Sequence, residues 1–222
     1  MDRVQQKPRS KRWVGYVVDL TFLAIILVGR GSFADHYHVP SGSMEPTLQV
    51  GDRLAVDKRA YGLRIPLTHV WLSETAPRRG DVTVFESPVS GDVLVKRLVG
   101  LPGDRVAFDG VHVILNGQRV PQDLTPEGTR VEYLPGAPHL LHPASFQGRP
   151  MQEVEVPPRH YLMLGDHRGN SSDSRMWGFV PREYLLGRAV AVSYSPREGL
   201  SWGERWWIPL RADDNAEGPT PP

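Results

Sequence analysis

From Trp13 to Val28 the chain reads WVGYVVDLTFLAIILV, an apolar run interrupted only by Asp19 and Thr21, with Arg3, Lys7, Arg9, Lys11 and Arg12 all before it. Such a run must be covered by lipid or by protein. As a helix, Trp13–Val28 rises roughly 24 Å against a hydrocarbon core of about 30 Å. Extension to Phe33 closes that gap but brings in Arg30. Asp19 costs on the order of 3 kcal/mol at the bilayer centre and less near a headgroup. A cleaved leader fits as well, because the basic flank and apolar centre are followed by the small-x-small triplet Ser32-Phe33-Ala34. The segment alone leaves anchor and leader equally open, with a buried core helix behind both. In either membrane reading the basic flank stays cytoplasmic and the chain beyond residue 30 emerges on the far side.

The remainder of the 222 residues suffices for one sizeable domain. A net charge of +1 sets up no field that favours nucleic acid. With no cysteine, disulfide frameworks, thiolate metal sites and a cysteine nucleophile are excluded.

Downstream of Val39, short runs rich in β-branched residues alternate with Gly, Pro and Asp. Residues 53–57, 81–85, 93–99, 105–108, 161–164 and 188–193 suit half-buried strands. The clearest local signal is Asn116-Gly117 between 111–115 and 118–120, which predicts a tight hairpin. Prolines recur from 121 to 158 too densely for regular element interiors, so this stretch reads as an extended insertion with edge-strand content. The expected architecture is mainly β with few helices. Its parts are a basic N-terminus (1–12), a membrane segment (13–33), a β-rich domain (34–210) and a polar, frayed tail (211–222).

Within Pro40-Ser-Gly-Ser-Met-Glu-Pro-Thr-Leu48 lie two closely spaced serines, weak evidence alone because Pro, Ser and Gly also build ordinary turns. A serine hydroxyl attacks an amide only with a base beside it. No serine sits in a G-x-S-x-G elbow, and of the eight histidines His167 is the best base candidate, although a structural turn role suits it better. Lys96 is the alternative. In a strand over 93–99, Leu94, Lys96 and Leu98 share one face, which puts an amine between two leucines. Bringing a lysine from about 10.4 to 8 takes roughly 3.3 kcal/mol of preference for the neutral form, a shift that desolvation supplies. Taken without Ser43, an edge lysine with its ammonium in water is the simpler account. The segment 165–181, GDHRGNSSDSRMWGFVP, reads either as a long turn held by Asx and Arg–carboxylate contacts or as a loop that positions the base.

PSGSMEPTL (40–48), RGDVTVF (79–85), KRLVGLPGD (96–104) and GDHRGNSSDSRMWGFVP (165–181) stand in the order and spacing of bacterial signal peptidase I, which the chain resembles over roughly 33–110 and 160–195. The resemblance implies a coiled, barrel-like β-sheet domain on one N-terminal transmembrane helix. It implies a Ser-Lys endopeptidase that removes signal peptides from exported preproteins after small-x-small motifs. Ser43 is then the nucleophile and Lys96 the general base. Ser41 and the Ser43 N–H form the oxyanion hole, Ser171 orients the lysine, and Asp173 with Arg175 supports the loop. Tyr37, Val39, Pro40, Met44, Leu48 and Val95 match substrate-pocket positions. Gly169 and His167 depart from the family pattern, which bears on loop geometry and not on the dyad.

The implied cycle needs no metal or organic cofactor, and the implied partners are signal peptides and membrane lipid. It belongs in the bacterial cytoplasmic (inner) membrane, single-pass, with the catalytic domain extracytoplasmic. The resemblance also tips the N-terminal segment towards a retained anchor. Ser43 lies fifteen residues beyond Val28, at most about 50 Å of extended chain, so it stays near the bilayer. Trp202, Trp206 and Trp207 suggest interfacial contact, or else a cap on the sheet. Two rival classes are a self-cleaving repressor-type Ser-Lys protease, for whose DNA-binding module residues 1–35 offer no room, and a secreted β-rich binding module whose serines only make turns.

Overall fold

The computed structural model describes residues 15–21, 34–64, 68, 70–126, 128–144, 148–195 and 206–210. Residues 15–21 are helical, with Thr21 Oγ1 donating to Val17 O at 2.7 Å. No helix among the described residues is long and apolar enough to cross a membrane. The expected segment 13–33 lies largely outside the described residues, as do the N-terminus 1–12, Trp202 and the tail 211–222.

The mainly-β expectation holds. The largest sheet contains β1 (Ala34–His38), β2 (Arg53–Asp57), β5 (Val82–Glu86), β6 (Val93–Gly100), β14 (His160–Leu164), β15 (Val180–Pro181) and β16 (Leu185–Tyr194). They run in the order β1-β2-β16-β5-β6-β14-β15, with β17 (Ile208–Pro209) also on β16. Neighbours are antiparallel throughout. Among the described residues the end strands β1 and β15 do not pair with each other, so the sheet is a curled half-barrel, in keeping with the coiled, barrel-like sheet that the resemblance implies. Three smaller sheets adjoin it. One pairs β3 (Gly62–Arg64) with β4 (Trp71–Glu74). Another orders β13 (Met151–Glu155), β7 (Arg105–Phe108), β8 (Val113–Leu115) and β9 (Gln118–Arg119). The third runs β10 (Gln122–Leu124), β11 (Arg130–Leu134) and β12 (Ala137–Leu141).

Local sequence accounts for much of this. Asn116 and Gly117 both take positive φ, 52° and 79°, the backbone that a two-residue hairpin turn needs to match strand twist. The strand before it starts at Val113, two residues later than expected, because Asp109 Oδ1 accepts from the N–H groups of Val111 and His112 and bends them into a turn. The proline-rich insertion supplies β10 to β13, and its Pro138 is accommodated in β12 opposite Tyr133.

The core forms three apolar clusters. Met44 and Leu48, both wholly buried, join Leu54, Val56, Val82, Val84, Ala189 and Val192 in one of them, and so pin the segment that carries Ser43 to the sheet. A second gathers Val99, Val106, Phe108, Leu162 and Leu164. A third holds Tyr61, Phe85, Leu98, Tyr161, Met163 and Leu185. Beyond Val95, strand β6 is buried on both faces.

After β14 the chain turns through Gly165, where space is short. A Cβ there would lie 2.3 Å from Ser171 Oγ and 2.4 Å from the Ser43 carbonyl oxygen. Only glycine lets the three segments close together.

The insertion reaches this same loop. Arg168, from the turn Arg168–Asn170, forms a bidentate pair with Glu132 of β11, its Nη1 at 3.0 Å from Oε1 and its Nη2 against Oε2, with both side chains fully buried. Burial opposes charge on Glu132, yet Arg168 and His139 together hold its carboxyl well below the usual range. Truncating one partner of such a pair strands the other charge.

Glu132→Gln is therefore expected to lose about 3–5 kcal/mol of stability in urea denaturation. An unchanged midpoint would contradict a bracing role for the pair. Gly165→Ala should lose about 1–3 kcal/mol through overpacking, read in the same assay.

Candidate active site

Ser43 occupies the middle of the 3-10 turn Gly42–Met44, entered from Ser41 in extended conformation. Met44 explains the turn's fixity: its side chain is in the core, and its carbonyl accepts from Leu48 N–H at 2.9 Å. Lys96 sits in β6 opposite Thr83 of β5 and is 4% exposed. Its Nζ donates to Ser43 Oγ at 2.6 Å and to Val95 O at 3.1 Å. The edge-lysine alternative, with its ammonium in water, does not apply.

Burial is the chief reason that the amine's pKa drops from its ordinary value to about 8, against the upward pull of Asp173 and Asp166. Both acids are engaged elsewhere. Asp173 receives Arg175 Nε and Nη2 at 2.7 Å each, together with Gly165 N–H at 3.0 Å. Asp166 receives Arg97 Nε at 2.8 Å and Nη2 at 2.6 Å, and Thr47 Oγ1 donates to it as well. A nearly matched guanidinium weakens each carboxylate's hold on the lysine.

Arg175 and Asp173 thus pair as expected, and Asp173 also caps the short helix Ser174–Trp177 by accepting from Arg175 N–H. Ser174 Oγ accepts from Met163 N–H at 2.8 Å, which fastens the loop back onto β14. The Arg97–Asp166 pair was not picked out from the sequence. Its signal was present in the Lys96-Arg97 dipeptide: adjacent strand residues face opposite ways, so a buried Lys96 left Arg97 buried on the other face and in need of an acid.

Three expectations meet different geometry. Ser171 Oγ is buried beside Gly165 but makes no hydrogen bond among the described residues, and the expected contact to Lys96 is not formed. Ser41 Oγ donates to Ser43 Oγ at 3.3 Å, so its hydroxyl is directed at Ser43 itself. Val39, Met44 and Leu48 are at most 1% exposed and belong to the core, because their short loop folds under the sheet instead of lining a surface pocket. Tyr37 and Val95 pack partly buried against that cluster, and Pro40 is exposed.

The cavity that opens on Ser43 and Lys96 has a volume of about 420 Å³ and is lined instead by Ser87, Val89, Ser90, Leu94, Asn170 and Trp177, among others. Ser87 to Ser90 form the β5–β6 turn. Its Ser-Pro-Val-Ser-Gly-Asp composition signals a turn, but nothing local reveals that it lines the cavity at Ser43.

His167 does not face the serine hydroxyl as a base. Its backbone N–H donates to Ser43 O at 3.1 Å, and its ring stacks on His142 with centroids 3.8 Å apart. Burial and the neighbouring His142 push its pKa down.

A buried amine in contact with a serine hydroxyl, beside an open cavity, is equipped for acyl transfer. Residues 10–194 match the family described as signal peptidase, peptidase S26. Signal peptidase I of Pseudomonas aeruginosa is 38% identical over 193 residues, covering 77% of this chain and 68% of the relative. That of Pseudomonas fluorescens is 37% identical over 205 residues, covering 82% and 70%. A probable signal peptidase I-2 of Synechocystis is 35% identical, covering 88% and 80%. A crystal structure of signal peptidase I from Enterococcus faecalis aligns with TM-score 0.36 and 28% identity over 52% of this chain and 98% of that one. By the family match and these identities, the chain belongs to the signal peptidase I family, peptidase S26.

Proposed function

We propose that the chain cleaves signal peptides from exported preproteins by a Ser43–Lys96 dyad. The observation that carries this reading is the 2.6 Å contact between Lys96 Nζ and Ser43 Oγ in a buried setting. At a pKa of about 8 a useful fraction of the amine is neutral near physiological pH. Neutral Lys96 takes the hydroxyl proton along that contact. Ser43 Oγ then bonds to the scissile carbonyl carbon, and the charged oxygen meets Ser41 Oγ and the Ser43 N–H. Lys96 passes the proton to the leaving amine as the C–N bond breaks, and an acyl-enzyme remains. Water, deprotonated by Lys96, releases the signal peptide with a new carboxylate.

Asp173 and Arg175 act at one remove, by fixing Gly165 and the loop that closes over Ser43. Ser171 is a positioning group that reaches Lys96 only after a rotamer change. The substrate adds as an extended strand and presents small residues at alternate positions. Residues 13–33 anchor the enzyme in the bacterial cytoplasmic membrane, with the catalytic domain outside. Exposure of Trp206 and Trp207, 66% and 58%, supports contact with an interface over a role as a cap on the sheet.

Detergent-solubilised wild type is expected to cleave a preprotein after a small-x-small site, and Ser43→Ala and Lys96→Arg to lose cleavage, since arginine stays protonated. Turnover by Lys96→Arg would refute the base assignment, and penem labelling that persists in Ser43→Ala would remove that serine from the mechanism. Below the Lys96 pKa of about 8, kcat/KM should rise about tenfold per pH unit and then level off. Stability follows the same amine. Folding depresses its pKa, so the unfolded chain binds more protons between about 8 and 10.5, and stability increases with pH across that window. Lys96→Met should therefore stabilise the domain at pH 6 by up to roughly 3 kcal/mol, with the gain shrinking above pH 8. A pH-independent difference in urea midpoints would show that the lysine is not desolvated.

A further inference from the structure

Beside the Ser43 turn, three side chains that the proposed cycle does not use converge. Glu45 follows the turn and folds its carboxylate over Gly42, where a Cβ would lie 3.0 Å from Glu45 Cδ and 3.1 Å from either oxygen. His142 stands just past β12, at the end of the insertion's sheet, and its backbone N–H donates to Asp166 O at 3.2 Å. His167 is in the loop after β14. Each offers one ligand atom, and these atoms lie within 4.8 Å of one another. His142 Nε2 is 3.9 Å from Glu45 Oε2, and the two side chains are 29% and 33% exposed.

We propose that Glu45, His142 and His167 bind a divalent transition cation of the zinc type. Two imidazole nitrogens and one carboxylate oxygen form a borderline donor set that suits Zn²⁺ better than Mg²⁺ or Ca²⁺, which prefer all-oxygen shells. Tetrahedral coordination at about 2.0–2.1 Å sets donors roughly 3.3 Å apart, so the 3.9 Å His142–Glu45 separation closes by roughly 0.6 Å, a pair at the full 4.8 Å spread by up to about 1.5 Å, and the stacked rings of His142 and His167 turn so that both lone pairs meet the ion. The site opens to solvent, which gives an ion access and leaves a fourth position for water.

The hydrogen bonding of the two rings differs. The Gly42 carbonyl faces the His167 ring as an acceptor, while His167 Nδ1 is buried without a hydrogen-bond partner among the described residues. That leaves Nδ1 with a lone pair uncommitted among the described residues. Ala144 N–H donates to His142 Nδ1, which puts that ring's proton on Nε2. Coordination through Nε2 shifts the proton to Nδ1 and breaks this exposed bond, which water replaces. The ligands come from the nucleophile turn, the insertion and the catalytic loop, so a bound ion ties all three together. His167 N–H to Ser43 O carries the tie to the backbone of the serine.

The test uses the full chain in detergent, without a histidine tag and in a Lys96→Ala background, so that turnover plays no part and failure of the dyad reading leaves the result unaffected. Zn²⁺ is titrated by calorimetry, and Co²⁺ by its visible absorption. One saturable site per chain is expected, with a thermal midpoint that rises on Zn²⁺ addition. His142→Ala and Glu45→Gln should each weaken binding at least about tenfold. Metal-free melting curves of both variants establish that they remain folded. Absence of a saturable site, or equal affinity in both folded variants, overturns the assignment; the latter result would place the ion elsewhere, for instance on His36 and His38.

Discussion

A lysine amine held away from water is the constraint around which this structure is arranged. Keeping an amine at a pKa near 8 in the folded protein works against its preference for water, and that cost must be met by surrounding packing. It is met from both sides. Strand β6 lies in the middle of the sheet between β5 and β14, and the Ser43 turn closes over Lys96 with Met44 and Leu48 rooted in the core. The two carboxylates that would restore the lysine's charge, Asp173 and Asp166, are each occupied by a guanidinium. Burial is left as the dominant influence. An acid at either position without its arginine would pull the amine back towards the protonated form.

Three stretches distant in sequence must meet for this to work, and the sheet does the bringing together. Register sets Lys96 opposite Thr83, while its neighbours Arg97 and Leu98 pair with Leu164 and Met163. The loop that leaves β14 therefore starts beside the lysine's own strand. Gly165 admits the Ser43 carbonyl and the Ser171 hydroxyl to the same small space, and Asp173 ties the far end of the loop to Gly165 N–H. Ser171 shows how tight this is. Its hydroxyl is packed close to Gly165 and yet has no hydrogen-bond partner among the described residues, a position from which a small rotation changes its contacts.

What the sequence disclosed was what neighbouring residues decide. Alternation put Lys96 between Leu94 and Leu98, and Asn116-Gly117 announced its turn, because side-chain period and turn backbone are local properties. Depth was not legible in the same way. Val39, Met44 and Leu48 flank Ser43 in sequence, and only the folding of their loop under β2 and β16 makes them core instead of pocket wall. Nor did the cavity-lining turn at Ser87 and Ser90 carry any mark of its destination. Long-range ion pairs are the hardest case: Arg97 with Asp166 and Arg168 with Glu132 span 69 and 36 residues, and charged residues at such separations leave no periodic trace.

The second of those pairs alters how the insertion should be regarded. A proline-rich stretch without strong patterning invites dismissal as ornament, and its β10 and β13 are largely exposed. Yet β11 sends Glu132 into full burial against Arg168, and β12 sends His139 to within 3.4 Å of the same carboxylate and 3.8 Å of Asp166. Glu132 thereby grips the loop after β14 through Arg168, while Arg97 of the lysine's strand holds the same loop by Asp166. The loop is clamped between the insertion and the central sheet. Freedom to vary in length or composition then belongs to the insertion's exposed turns, and the inward face of its sheet is bound to the geometry of the site.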